Sequence, residues 1–235
     1  MQVFAGSTAE AVNLKHAILL YETFATVHDV ELKGGKQPVI KPGELATKEG
    51  LISALRALLP ETERGTGLLA ENILATGVDH MVWWVKPATR EVWFSCKDIG
   101  GERHAPVPNP GLVMVVSKSG WHVFAVKGKD RPTPETELFQ VPYFNVWAGG
   151  KICTGTARTP QGADAKKPKA WEDAFFQSFF THPNIHAPQK LVAKGGAFKF
   201  WKDMLDGRYQ RFPEGMLVAT KQTMQSMYNT LVMGR

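Results

Sequence analysis

The chain has 235 residues, 43% hydrophobic and 21% charged, close to the globular average of about 25% charged. That composition excludes a disordered chain, a collagen-like chain and a disulfide scaffold; at this length roughly 70–75% of the extended surface can be buried without a metal or disulfide staple. Lys+Arg at 28 against Asp+Glu at 22 leave a net charge of +6. The excess is spread out apart from Lys166, Lys167 and Lys169, which suits a soluble surface, an acidic protein partner or, as the lesser expectation, loose contact with nucleic acid.

Two cysteines, Cys96 and Cys153, are too few for a disulfide framework and point to a reducing compartment. The N-terminal segment lacks the basic start and apolar run of a signal peptide. No stretch reaches the ~20 apolar residues of a membrane span. A cytoplasmic location without membrane attachment is therefore expected.

In chain order, residues 17–24 and 26–32 read as a pair of strands ending at the turn Gly34-Gly35. A helix is expected from about Thr47, a suitable N-cap, to Leu59, with Pro60 as its stop. Leu51, Ile52, Leu55, Leu58 and Leu59 form its apolar stripe. After a Gly-rich joint, four β-branched or aromatic runs follow at 80–86, 91–96, 111–117 and 121–128. They read as an antiparallel meander, with a turn around Pro87 and Ala88 joining the first two. The link 98–111 is so rich in Pro and Gly that it reads as irregular.

The chain then runs extended through 137–153. A helix is expected over 167–180, with Pro168 near its start and Glu172 and Asp173 in its first turn, where the helix dipole favours acids. Closing helices are expected at 198–207 and 221–231. Strands and helices are segregated rather than alternating, which makes the fold class α+β. The domain division expected is an N-terminal β extension over 1–44 and one larger domain over 45–235.

The stretch with chemical content is Pro142-Tyr-Phe-Asn-Val-Trp-Ala-Gly-Gly-Lys-Ile-Cys153. Gly149 and Gly150 permit a sharp turn with positive φ just before Cys153. Asn145 lies eight residues earlier; if the turn folds back, its amide reaches the neighbourhood of the thiol, where an amide N–H can stabilise an oxyanion. Cys96 ends a strand-like run and is expected to be structural. The seven histidines show no HExxH spacing, so no zinc site is expected. A Cys–His hydrolase would need a histidine beside Cys153; His104, His122 and His182 are candidates, and nothing in the sequence separates them.

This segment resembles the active-site signature of the ubiquitin-conjugating enzymes, His-Pro-Asn-Val followed by a turn and Gly-x-Ile-Cys. Asn145-Val146 and Gly150, Ile152 and Cys153 match it, and Tyr143-Phe144 stands where His-Pro is usual. The order helix, four-strand meander, cysteine loop and helices is also that of the ubiquitin-conjugating-enzyme-like fold. The wider chain is similar to the prokaryotic branch of that superfamily, in particular the protein B family of the PRTRC systems of plasmids and mobile elements.

The resemblance implies an acyltransferase in which Cys153 takes a ubiquitin-like protein as a thioester from a ThiF-like adenylating activating enzyme and passes it to an amine. Asn145 would support the oxyanion, and Gly149, Gly150, Ile152 and Tyr143 would shape the loop. Lys48, Glu49 and Arg56, on the outer face of the first helix, would meet the activating enzyme. A JAB-type metalloprotease of the same system is a further implied partner; neither a metal nor a small cofactor is needed at the transfer step. Two alternatives stay open: a non-catalytic scaffold of this fold that binds the ubiquitin-like protein, and a basic plasmid-maintenance module that binds DNA. His182-Pro183-Asn184-Ile185 mimics part of the signature but has no cysteine at the required distance, and reads as a helix-terminating loop.

Overall fold

A computed structural model describes residues 14–34, 37–52, 68–155, 158–185 and 191–235. The chain forms two compact units, Met1–Leu68 and Leu69–Arg235.

The first unit holds an antiparallel sheet of β1 (His16–Leu20), β2 (Ala25–Lys33) and β3 (Gln37–Leu45) in that order. The expected strand pair is thus a three-stranded sheet. Pro38, Pro42 and Gly43 disguise β3 in the sequence, yet an edge strand tolerates prolines because half of its N–H groups face no partner. Thr47 caps a helix as expected: its hydroxyl accepts from Gly50 N at 3.0 Å, and Leu51 N donates to Thr47 O at 3.0 Å. Residues 48–52 are helical; Leu55, Arg56, Leu58 and Leu59 lie outside the described residues.

The second unit is organised by one long bent hairpin. β5 (Met81–Val85) and β6 (Ala88–Cys96) form its first arm, β7 (Gly101–Asn109) and β8 (Gly111–Ser117) its second. The register runs unbroken from Met81↔Val116 to Val85↔Leu112 and from Ala88↔Asn109 to Cys96↔Gly101. The chain therefore bends at Pro87 without reversing there, and turns back instead at Lys97–Ile99, with Gly100 at φ +106°. The segment expected to be irregular is strand β7. Pro106 and Pro108 share one parity on this edge strand, so their missing N–H groups fall on its unpaired side.

The four runs expected to form one meander are β5, β6, β8 and β9 (Gly120–Val126), but β6 leaves for a second sheet, and the antiparallel order in the large sheet is β4 (Ile73–Thr76), β5, β8 and β9. β10 (Glu137–Gln140) and β12 (Val218–Thr223) extend it into a six-stranded sheet of order β12-β10-β9-β8-β5-β4. Beyond the bend, β6 and β7 join β11 (Phe179–Phe180) in a three-stranded sheet. The unit is thus a mixed α/β structure of several largely antiparallel sheets and short helices.

Every residue of β5 is buried because the large sheet is covered on both faces. On one face Met81, Trp83, Leu112, Met114 and Val123 pack with Trp171 and Phe175 of α1 (Pro168–Phe176) and with Phe200, Trp201 and Met204 of α2 (Ala197–Leu205). On the other, Val82, Trp84, Val113 and Phe124 pack with Met224 and Met227 of α3 (Met224–Leu231). Thr223 and Ser226 start α3 with a reciprocal capping box.

Helix α1 is shorter than the sequence suggests. It starts at Pro168 and ends at Phe176, so Glu172 and Asp173 lie beyond the first turn; Asp173 instead pairs with Lys169, one turn earlier. Phe179 and Phe180 leave the helix to pair in parallel with Trp93 and Phe94 of β6. Two backbone partners on β6 and burial of Phe180 replace two more residues of helix.

Glu172 is partly buried, and burial pushes its carboxyl above the usual 4.5, against the opposing pull of Arg90. A carboxyl raised in the folded state binds its proton more tightly there than in the unfolded chain, so it lowers stability as pH climbs through and above the carboxylate range. Glu172→Gln is expected to melt at a higher temperature than the parent at neutral pH, with the gap closing in mild acid; thermal melts across pH measure this.

Candidate active site

The approach to the cysteine is anchored in the core. Pro142 O accepts a hydrogen bond from Trp201 Nε1 at 2.7 Å. Tyr143 is fully buried, with its ring centroid 5.1 Å from Phe180 and 5.3 Å from Trp201. Its hydroxyl donates to Asn109 Oδ1, and burial drives the phenol far above its normal range, so it remains a donor. Phe144 packs edge-on against Phe94 at 5.3 Å. Tyr143 is therefore a core anchor that holds the start of the loop.

From this anchor the chain makes a tight hairpin. Val146 pairs with Ile152, Trp147 N donates to Lys151 O at 2.8 Å, and Cys153 N donates to Asn145 O at 2.8 Å. The spacing of eight thus sets Asn145 and Cys153 directly across from each other. The returning arm adds to the edge of β9: Val123 N donates to Gly150 O at 2.8 Å and Ile152 N to Trp121 O at 2.9 Å. Strand alternation then points Ile152 into the core and leaves Cys153 exposed. Cys96 is half-buried at the end of β6 and packs against the core, as expected for a structural cysteine.

The two glycines differ. Both have positive φ, +82° at Gly149 and +83° at Gly150. A Cβ at Gly149 would meet open space, whereas one at Gly150 would lie 2.7 Å from Val123 O and 2.8 Å from the Phe124 ring. Gly150 lets the hairpin approach β9; Gly149 only shapes its tip.

Asn145 sits at φ +59°, a left-handed conformation that asparagine tolerates better than most residues. Its side chain clasps the segment after β11: Nδ2 donates to Phe179 O at 2.8 Å, and Oδ1 accepts from Thr181 N at 3.1 Å and Thr181 Oγ1 at 2.8 Å. Its own backbone N donates to His182 O at 2.9 Å. The cysteine hairpin and residues 179–182 are therefore one connected unit.

Between this segment, the cysteine hairpin and α1 lies an open groove of about 740 Å³, lined by Cys153, Asn145, Arg158, Asp173, Ser178 and His182 among others. An exposed thiol in a groove that an amide and an imidazole also line can exchange an acyl group. Of the three candidate histidines, His182 alone lines this groove. His104 bonds Glu91 at 2.6 Å and stacks on Trp93; His122 is buried on β9, where burial depresses its pKa. The segment 182–185 is a loop as read, but it follows β11 rather than ending a helix, and its first residue, His182, lines the groove. Its partial match to the signature was the one local hint; thirty-odd intervening residues hid its place beside Asn145. Lys48 and Glu49 are exposed near the start of the helix in the first unit, and Arg56 lies outside the described residues.

Fold and site together define a class: a mixed α/β domain that presents an exposed cysteine on a hairpin paired with strand β9 of an antiparallel sheet. The family model of prokaryotic E2 family D matches residues 51–220, well over half of the chain, and the chain belongs to that family. No curated protein and no solved structure matches it. Among the described residues no helix is long and apolar enough to cross a membrane.

Gly149→Ala is expected to cost about 1–2 kcal/mol for the left-handed backbone alone. Gly150→Ala should cost about 1–3 kcal/mol more, because the added methyl overlaps Val123 O and Phe124. Chemical denaturation of the two variants checks the difference, and equal losses would show that the hairpin does not seat on β9 as described.

Proposed function

We propose that Cys153 carries a ubiquitin-like protein as a thioester and passes it to an amine. Membership of a prokaryotic E2 family supports a ubiquitin-conjugating-like role, and the observation that carries the finer reading is the exposed thiol on a core-anchored hairpin opposite Asn145. The thiolate attacks the thioester on an adenylating activating enzyme; a new C–S bond forms at Cys153 and the activator's thiolate leaves. An amine then attacks the same carbonyl, and Cys153 leaves in turn. Holding both partners in one groove replaces an unfavourable encounter and supplies much of the rate. Neither step calls for a metal or a small cofactor. The PRTRC systems, with their activating enzyme, ubiquitin-like protein and JAB-type metalloprotease, are the setting this reading favours.

Asn145 has two tasks in this scheme. One Nδ2 hydrogen is held by Phe179 O; the other has no partner among the described residues and serves the oxyanion. Asn145→Ala is expected to lower stability by about 1–3 kcal/mol through its lost hydrogen bonds. It should also slow amine transfer by about 100-fold, the order seen when one oxyanion donor is removed. Melting curves and single-turnover transfer measure the two effects separately.

Incubation with a ubiquitin-like protein, its activating enzyme and ATP should give an adduct that a thiol reductant cleaves. Cys153→Ala should abolish it and Cys153→Ser should give a reductant-stable ester or nothing. A reducible adduct on Cys153→Ala would mean another nucleophile. Binding that survives in Cys153→Ala, with no adduct on the parent protein, would leave the scaffold reading in its place.

A further inference from the structure

The hydrogen bonds around Asn145 determine more than loop geometry. Phe179 O can only accept and Thr181 N can only donate, so the orientation of the Asn145 amide is unambiguous: Nδ2 faces the former and Oδ1 the latter. Thr181 Oγ1, 2.8 Å from Asn145 Oδ1, must therefore give its single hydrogen to that oxygen. His182 Nδ1 lies 2.9 Å from the same hydroxyl oxygen. With the hydroxyl hydrogen already committed, the hydrogen in this contact belongs to Nδ1. Neutral His182 is thereby held as the Nδ1–H tautomer, and its lone pair is on Nε2.

His182 is exposed and lines the groove that contains Cys153. The other charged groups on that lining are Asp173, which is paired with Lys169, and Arg158, which is a cation. Among the described residues of the groove, the imidazole is the base that is both oriented and unpaired at its basic atom.

We propose that His182 Nε2 is the general base for the amine transfer, a role that rests on the thioester reading above. As the amine nitrogen bonds to the carbonyl carbon, Nε2 takes one of its protons; the C–S bond breaks, Cys153 departs as thiolate, and the imidazolium returns the proton to that sulfur. The net change is amine plus thioester to amide plus thiol. Thr181 and Asn145 act as positioning residues for this base.

The test acylates the purified full-length protein with a small glycyl thiobenzyl ester and follows release of the acyl group to 2,2,2-trifluoroethylamine by mass spectrometry. This amine is unprotonated across the neutral range, so a pH limb reports the protein. Discharge is timed from protein already acylated, so effects on loading do not enter. His182→Asn keeps a donor near the Nδ1 position and removes the base. It is expected to discharge at least about 100-fold more slowly, to lose the acid limb of the rate profile, and to be partly rescued by added imidazole. In the parent protein that limb should rise and then level with increasing pH. Equal discharge by parent and variant would overturn the proposal, as would a slowed variant that keeps the limb and ignores imidazole, which is the signature of a structural role. Failure of the parent to be acylated at Cys153 would overturn it together with the thioester reading. If the ubiquitin-like adduct never forms but the small acyl group is discharged with the base signature, the conjugation reading fails and the role of His182 stands.

Discussion

A single side-chain amide ties the chemistry to the scaffold. Asn145 faces Cys153 across a two-arm hairpin and also grips residues 179–182, a segment more than thirty residues away. Removing that grip would leave the backbone bond from Asn145 N to His182 O as the remaining hydrogen bond between the arm that carries the thiol and the wall that carries His182, among the described residues. Each bond is modest, about 1 kcal/mol net. Their combined effect is to convert two loops into one surface with fixed geometry.

The rest of the larger unit supports that junction from below. Tyr143, Phe175, Phe180 and Trp201 form a buried aromatic cluster, and Trp201 closes it with a hydrogen bond to the backbone at Pro142. Helix α2, strand β11 and the start of the cysteine loop are thus held by the same packed core. Such close packing leaves little room for a soft response: a methyl added at Gly150 meets a backbone oxygen and an aromatic ring at once. The thiol is exposed not because its loop is loose but because its neighbour Ile152 is buried.

The bent hairpin shows how a sheet can serve two layers. One continuous register carries β5 with β8 into the large sheet and β6 with β7 into the small one, and the bend falls where Pro87 and Pro110 interrupt the donors. The small sheet then offers Trp93 and Phe94 as the landing strip for β11. Through β11 the meander positions Thr181 and His182. A turn at Pro87, the simplest expectation from the residues there, would have left β11 without this partner.

Local chemistry wrote much of this into the chain. Two glycines, a spacing of eight from the amide of Asn145 to the thiol of Cys153, and Ile152 beside Cys153 are enough to specify the hairpin, because its bonds close within a dozen residues. Thr47 as a helix cap is legible for the same reason. Strands β3 and β7 were hidden because prolines suit an edge whose outer N–H groups are unused, and only the sheet reveals which strand is the edge. The pairing of Phe179 with β6, the clasp of Asn145 on Thr181 and the resulting tautomer of His182 belong to contacts between distant segments. No pattern in a linear chain encodes these directly; they arise when burial of the aromatic cluster brings the segments together.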